Sequence, residues 1–289
     1  MKMRALGMTM LLVLGCVVAS EPPPARGDAA DVMTMVQDAR CKQIVVTCLI
    51  NNQPMRMMLD TGASHTVLHT ESAAGLRGGQ WVDTSAMQFR GNSRQRPGML
   101  MAPLHVGPST VSRHLFMVLD LSAARGAMAE QIDGILGMDV LGGLSFTFDQ
   151  RVGKFHWGIP EGVQAVPLRG KQDKFGRLIV EAKCQDKPLE LLLDTGSSVT
   201  RVRAEDWAPG AGQEIEVQVG DVDEAARISI MQGAVADLEV AAEMELKGVT
   251  PIFGREGEPP VLGMDALRGA ALIHLPAGSS SPGGFFLQK

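Results

Sequence analysis

The chain has 289 residues, 45% of them hydrophobic and 20% charged, a globular composition with room for one large domain or two ordinary ones. Lys and Arg number 27 against 32 Asp and Glu, a net charge of −5, so nothing in the balance advertises nucleic acid as a partner. Tyr is absent and aromatics make up 4%, so the core has to be aliphatic and rich in methionine.

Taken in chain order, the N-terminus reads as an export signal over residues 1–20. Lys2 and Arg4 form a charged start, and "ALGMTMLLVLG" is an apolar run too short to span a bilayer comfortably. Its end, "VLGC" at 13–16, resembles a bacterial lipobox with Cys16 as the residue to be lipidated. A plain signal peptide cut near Ala19 or Ser20, or an uncleaved anchor, reads the same segment without lipid. Residues 21–40, opening "EPPPARGDAADVM", suit a tether. The reading is therefore of an exported protein of the periplasm or cell envelope. Val17 after the cysteine leans, by the lipobox resemblance, toward an anchor in the outer membrane. Without Cys16, three cysteines remain (Cys41, Cys48 and Cys184), so at most one bridge can form. Cys41 and Cys48 fall on one expected strand, about 23 Å apart when extended. That separation is too great for a disulfide.

An internal repeat organises the rest. "QIVVTCLINNQPMRMMLDTGASHT" lies without a gap over "RLIVEAKCQDKPLELLLDTGSSVT", placing Asp60 over Asp194. Each copy predicts two strands about a polar turn (Asn51-Asn52, Gln185-Asp186), the second strand delivering Asp to a tight Gly loop. Downstream, "GILGMDVL" at 134–141 matches "PVLGMDAL" at 260–267, and a closing hairpin follows each. The expected division is an N-terminal β lobe at 41–158, a linker at 159–170 and a C-terminal β lobe at 171–289. No long segment of helical period appears, so both lobes read as mostly β. Short helices fit only after the Asp loops and at the Gly-Met-Asp turns.

One Asp-Thr-Gly should occur by chance in roughly one chain in twenty of this length. Two copies at equivalent points of a repeat, each fed by an apolar strand, need another cause. An Asp that merely caps its turn does not require an apolar approach. A carboxylate at such a strand end loses hydration, which raises its pKa. Two brought together by packing of the lobes cannot both ionise and hold one proton between them. That state suits general acid–base hydrolysis of an amide with neither metal nor cofactor.

At these residues the sequence resembles the clan of aspartic peptidases, nearer to retropepsins than to pepsins. "MLDTGAS", "LLDTGSS", "GILGMD" and "PVLGMD" carry the likeness. The resemblance implies an acid-protease fold of two β-barrel lobes about a pseudo-twofold axis, both in one chain. It makes Asp60 and Asp194 the catalytic dyad, supported by Thr61, Gly62 and Ala63 and by Thr195, Gly196 and Ser197. It implies an endopeptidase that takes a peptide or protein substrate and works as a monomer. The other reading is a non-catalytic peptide-binding or structural lipoprotein on the same fold. Flap hairpins are expected near 89–98 and 217–228. Ser197 stands where the first loop has Ala63, and a hydroxyl donating to Asp194 would leave that group the more ionised and the proton on Asp60. His65 and His69 lack Cys or acidic partners at ligand spacing, so no metal is expected. Asp139 and Asp265 are read as helix caps.

Overall fold

The computed structural model describes residues 36–37, 42–84, 97–220, 225–278 and 283–288. Cys16, the export signal, most of the tether and the tips of both expected flaps lie outside the described residues.

Each half starts with the expected hairpin. Ile44–Ile50 pairs antiparallel with Gln53–Leu59, and Leu178–Cys184 with Lys187–Leu193. The two-residue turns have positive φ at both positions, 48° and 62° at Asn51 and Asn52, 49° and 66° at Gln185 and Asp186. Left-handed turns of this kind follow the twist of the strands they join. Along Leu178–Cys184 alternate residues are buried and exposed, the period of a pleated strand with one face on a core.

The second strand of each hairpin runs into the interior. Gln53–Leu59 pairs in parallel with Gly134–Leu136, and Lys187–Leu193 with Val261–Leu262. A strand flanked on both sides must be apolar almost throughout, which is why Asp60 and Asp194 follow "MML" and "LLL". Among the described residues the first half forms an eight-stranded sheet. Its pairing of Leu49 with His105 and Ile50 with Leu104 closes it on itself. The second half forms a ten-stranded sheet around its own hairpin. The fold is mostly β and two-lobed, of the acid-protease kind.

A third, five-stranded sheet joins the halves. The closing hairpins do not each stay within a lobe. Phe146–Asp149 of the first pairs with Ala271–Leu275 of the second, Thr147 opposite Ile273. Val166–Pro167, inside the expected linker, adds an edge strand against Leu287 and Phe286. Val36–Gln37, inside the expected tether, pairs with Val45 and Ile44. Phe146, Phe155 and Phe285 pack beneath the shared sheet with His274, whose Nδ1–H donates to Leu144 O at 2.8 Å. Burial pushes the pKa of His274 down. Backbone pairing and core thus cross between the lobes, fixing one against the other.

The expected helices form at Thr70–Gly75 and Met138–Leu141. Their counterparts in the second half are a single 3₁₀ turn, Ala204–Asp206, and a run of turns at Met264–Gly269. One helix, Ser122–Ala127, was not foreseen, and it lies against the hairpin Ala211–Gly220/Ala225–Gly233 of the other half. That hairpin holds the second expected flap, with its tip outside the described residues. At the first, Gln80–Trp81 pairs with Met101 and Leu100, and its tip is likewise not described.

Candidate active site

The two Asp residues leave their strands while still held by backbone pairing. Asp60 N–H donates to Leu136 O at 3.1 Å and Asp194 N–H to Leu262 O at 3.0 Å. Each loop then folds back on its own carboxylate. Gly62 and Ala63 N–H both reach Asp60 Oδ1 at 2.8 Å, and Gly196 N–H reaches Asp194 Oδ1 at 2.9 Å.

The threonines tie the loops together by a reciprocal exchange. Thr61 Oγ1 donates to Leu193 O at 2.9 Å and accepts from Thr195 N–H at 3.1 Å. Thr195 Oγ1 donates to Leu59 O at 2.9 Å and accepts from Thr61 N–H at 3.1 Å. Both side chains are buried. Four hydrogen bonds sealed from water hold the two strand ends in one register.

The glycines set the spacing. A Cβ on Gly62 would lie 2.5 Å from Asp194 Cγ, and one on Gly196 would lie 2.5 Å from Asp60 Cγ. Each carboxyl group therefore rests on the opposite loop, and the two hydrogen-bond each other. Residues 46–140 match the family model described as aspartyl protease. Over that stretch, which holds the Asp60 loop, the chain is similar to the aspartyl proteases. No curated protein matches the chain. The second half carries the same Asp-Thr-Gly loop by its repeat and by the mirrored threonine exchange.

The electrostatics of the Asp pair follow from its surroundings. Each carboxyl keeps an edge toward solvent, yet the protein around it removes most of its hydration. Desolvation is the main cause that raises both pKa values, and Asp60 rises well above the usual carboxylate range. The charge of Asp194 pushes Asp60 further, against the donations from Ala63 and Gly62. Asp194 is held back by the Asp60 hydrogen bond, by Gly196 N–H and by the Arg201 charge. The repeat places Val67 where the second half has Arg201, whose charge favours the ionised form of Asp194. The pair titrates as a unit with its proton on the Asp60 side.

That order of ionisation matches the sequence expectation, but its cause does not. Ser197 Oγ donates to Val199 O at 2.8 Å, not to Asp194. Asp139 and Asp265 were read as helix caps, and the helix at Met138 receives no side-chain cap bond. Asp139 instead accepts from Thr66 N–H at 2.9 Å and Thr66 Oγ1 at 2.7 Å, and Asp265 accepts from Thr200 Oγ1 at 2.7 Å. Each carboxylate anchors the far end of its own Asp loop. His65 is half-buried and meets Phe175 edge to face with ring centroids 5.3 Å apart, and His69 is buried, with Nδ1 accepting from Leu121 N–H.

Two residues were missed. Gln43 Nε2 donates to Gly196 O at 2.8 Å, and Arg177 Nη1 to Gly62 O at 3.2 Å. Each reaches from one half to the Asp loop of the other. They occupy equivalent positions of the repeat, both polar immediately before an apolar strand, and that shared polarity was the available signal. Asp173 grips Arg177 through contacts of 2.6 and 2.8 Å.

Proposed function

We propose that this aspartyl protease is a single-chain endopeptidase whose catalytic groups are Asp60 and Asp194. The supporting observation is the contact of two desolvated carboxyl groups from opposite halves, each resting on the other's loop glycine. In the singly protonated pair, Asp194 takes a proton from water as its oxygen bonds to the peptide carbonyl carbon. Asp60 gives its proton to the carbonyl oxygen, producing a tetrahedral diol. As the C–N bond breaks, the proton on Asp194 passes to the departing nitrogen and one diol proton returns to Asp60. Both carboxyls end as they began. No covalent intermediate and no cofactor enters this cycle. The substrate is an extended peptide laid in strand form beneath the Ala211–Gly233 hairpin. One chain supplies both halves, so a monomer suffices.

The same reading places the enzyme outside the cytoplasm, anchored through lipid on Cys16. The sequence pattern alone supports that part. Loss of membrane association in Cys16→Ser tests it.

The test of the activity is cleavage of a peptide library by the wild type beside Asp60→Asn and Asp194→Asn. Activity lost in both folded variants supports the dyad. Failure of the folded wild type to cleave any member removes the endopeptidase reading.

A further inference from the structure

The two halves differ most where their chains return to the dyad. In the first, 14 residues (120–133) separate Met117–Leu119 from Gly134–Leu136. This segment folds over the outer face of the opening hairpin and inserts Leu121, Met128 and Ile132 against Val45 and Met58. Asp133 Oδ2 accepts from Arg56 N–H at 2.9 Å, and Glu130 pairs with the Arg56 guanidinium.

In the second half only seven residues (254–260) make the same connection. The face that the longer segment covers is left as a groove of about 400 Å³ lined by Ile179, Leu192, Val202, Pro188, Pro259 and Pro260. Val45 is 2% exposed, whereas its repeat counterpart Ile179 is 36% exposed. The charge is reversed as well. Glu190 stands where the first half has Arg56, and it lines the groove. It is exposed, lies opposite Glu181 in the strand pairing, and has no basic partner among the described residues. The groove borders the catalytic centre, because Arg177 lines it and also holds Gly62 O.

We propose that this groove is a docking site for the polypeptide substrate, taking a bulky aliphatic side chain with a neighbouring Lys or Arg. The aliphatic group fills the place that Met128 and Ile132 fill in the first half. The basic group meets Glu190, as Glu130 meets Arg56 with the signs exchanged. Naming the ligand as substrate rests on the proteolytic reading; the groove and its charge do not.

The experiment follows the isoleucine and leucine methyl signals of the full chain by NMR during titration with acetyl-Ala-Lys-Leu-Ala-amide or acetyl-Ala-Glu-Leu-Ala-amide. The Lys peptide shifts the Ile179 and Leu192 signals saturably, and the Glu peptide binds about threefold more weakly, the value of one exposed ion pair. Glu190→Lys reverses that order while cleavage of a short peptide lacking the motif stays unchanged. No shift at Ile179, or a preference indifferent to Glu190→Lys, overturns the proposal. So does a shift caused by protein concentration alone, which would mean a second copy, or Overhauser contacts from Ile179 to residues 1–35 in the free chain. Asp60→Asn keeps the methyl response whether or not it abolishes cleavage, so failure of the groove and failure of the dyad are read separately.

Discussion

Gly62 lies so close to Asp194 that a single added methyl would overlap the carboxyl carbon, and Gly196 stands to Asp60 in the same way. The contact is with the opposite loop's carboxyl, so the glycines set the distance between the two carboxyl groups. Gly62→Ala and Gly196→Ala should each lower kcat about a hundredfold or more, the usual effect of displacing reacting groups by ~1 Å. Steady-state kinetics on variants with wild-type circular dichroism check this. Full activity in Gly62→Ala would refute the spacing role.

Thr61 and Thr195 share four buried hydrogen bonds. Thr61→Val leaves Thr195 N–H and Leu193 O without their partner and should cost about 2–4 kcal/mol. Thr195→Val should cost a similar amount. Each hydroxyl makes its own two bonds, so the two losses add unless the first change already lets the strand ends shift. Any shortfall of the double variant measures that coupling. Denaturant unfolding of the four proteins measures the cycle.

The dyad sets a direction for stability against pH. Both carboxyl pKa values are raised by folding, so the folded state binds the extra proton more tightly than the unfolded chain. This contribution is fully present below the unfolded carboxylate value, near pH 4, and is lost as pH rises through the folded values. Asp60→Asn removes the larger share of the dependence and leaves that of Asp194. It should raise the melting temperature at neutral pH by roughly 3–6 °C, for about 1–2 kcal/mol. The gain should shrink toward zero as the pH falls to about 4. Scanning calorimetry from acid to neutral pH tests the sign.

Arg201 and Ser197 separate two explanations of which Asp carries the charge. Arg201 holds the Asp194 pKa down, while the Ser197 hydroxyl is engaged with Val199 O. Arg201→Met should move the acid limb of the pH–rate profile to higher pH. Ser197→Ala should leave that limb in place. The opposite outcome would restore the hydroxyl as the tuning group.

The turn at Gln185 offers a check on the backbone. Gln185 has φ 49°, a left-handed conformation that costs an L-residue about 1 kcal/mol, and Asn occupies the matching Asn51. Gln185→Asn should stabilise the protein by ~0.5 kcal/mol. Urea unfolding would show it as a raised midpoint at constant slope.

Much of the centre was legible in the residues. The duplicated Asp-Thr-Gly, its apolar approach and the polar turn before it all depend on chain neighbours, and local pattern carries such information. Thr61 and Thr195 could be expected to meet because the repeat implies a twofold relation. The anchoring of Thr66 by Asp139 could not, because those residues are remote in sequence and the Gly-Met-Asp turn reads locally as a capped helix start.

By itself, the sequence determined the strand periodicity, the two turns, the pairing of the halves and the acidic residue at the end of each central strand. Spacing and polarity along the chain are enough for these. Only the tertiary structure decided that the closing hairpins share one sheet, that each loop glycine lies under the opposite carboxyl, and that no described residue covers the groove beside Ile179. Those features depend on which distant segments exclude water from one another, and periodicity within one segment does not contain that.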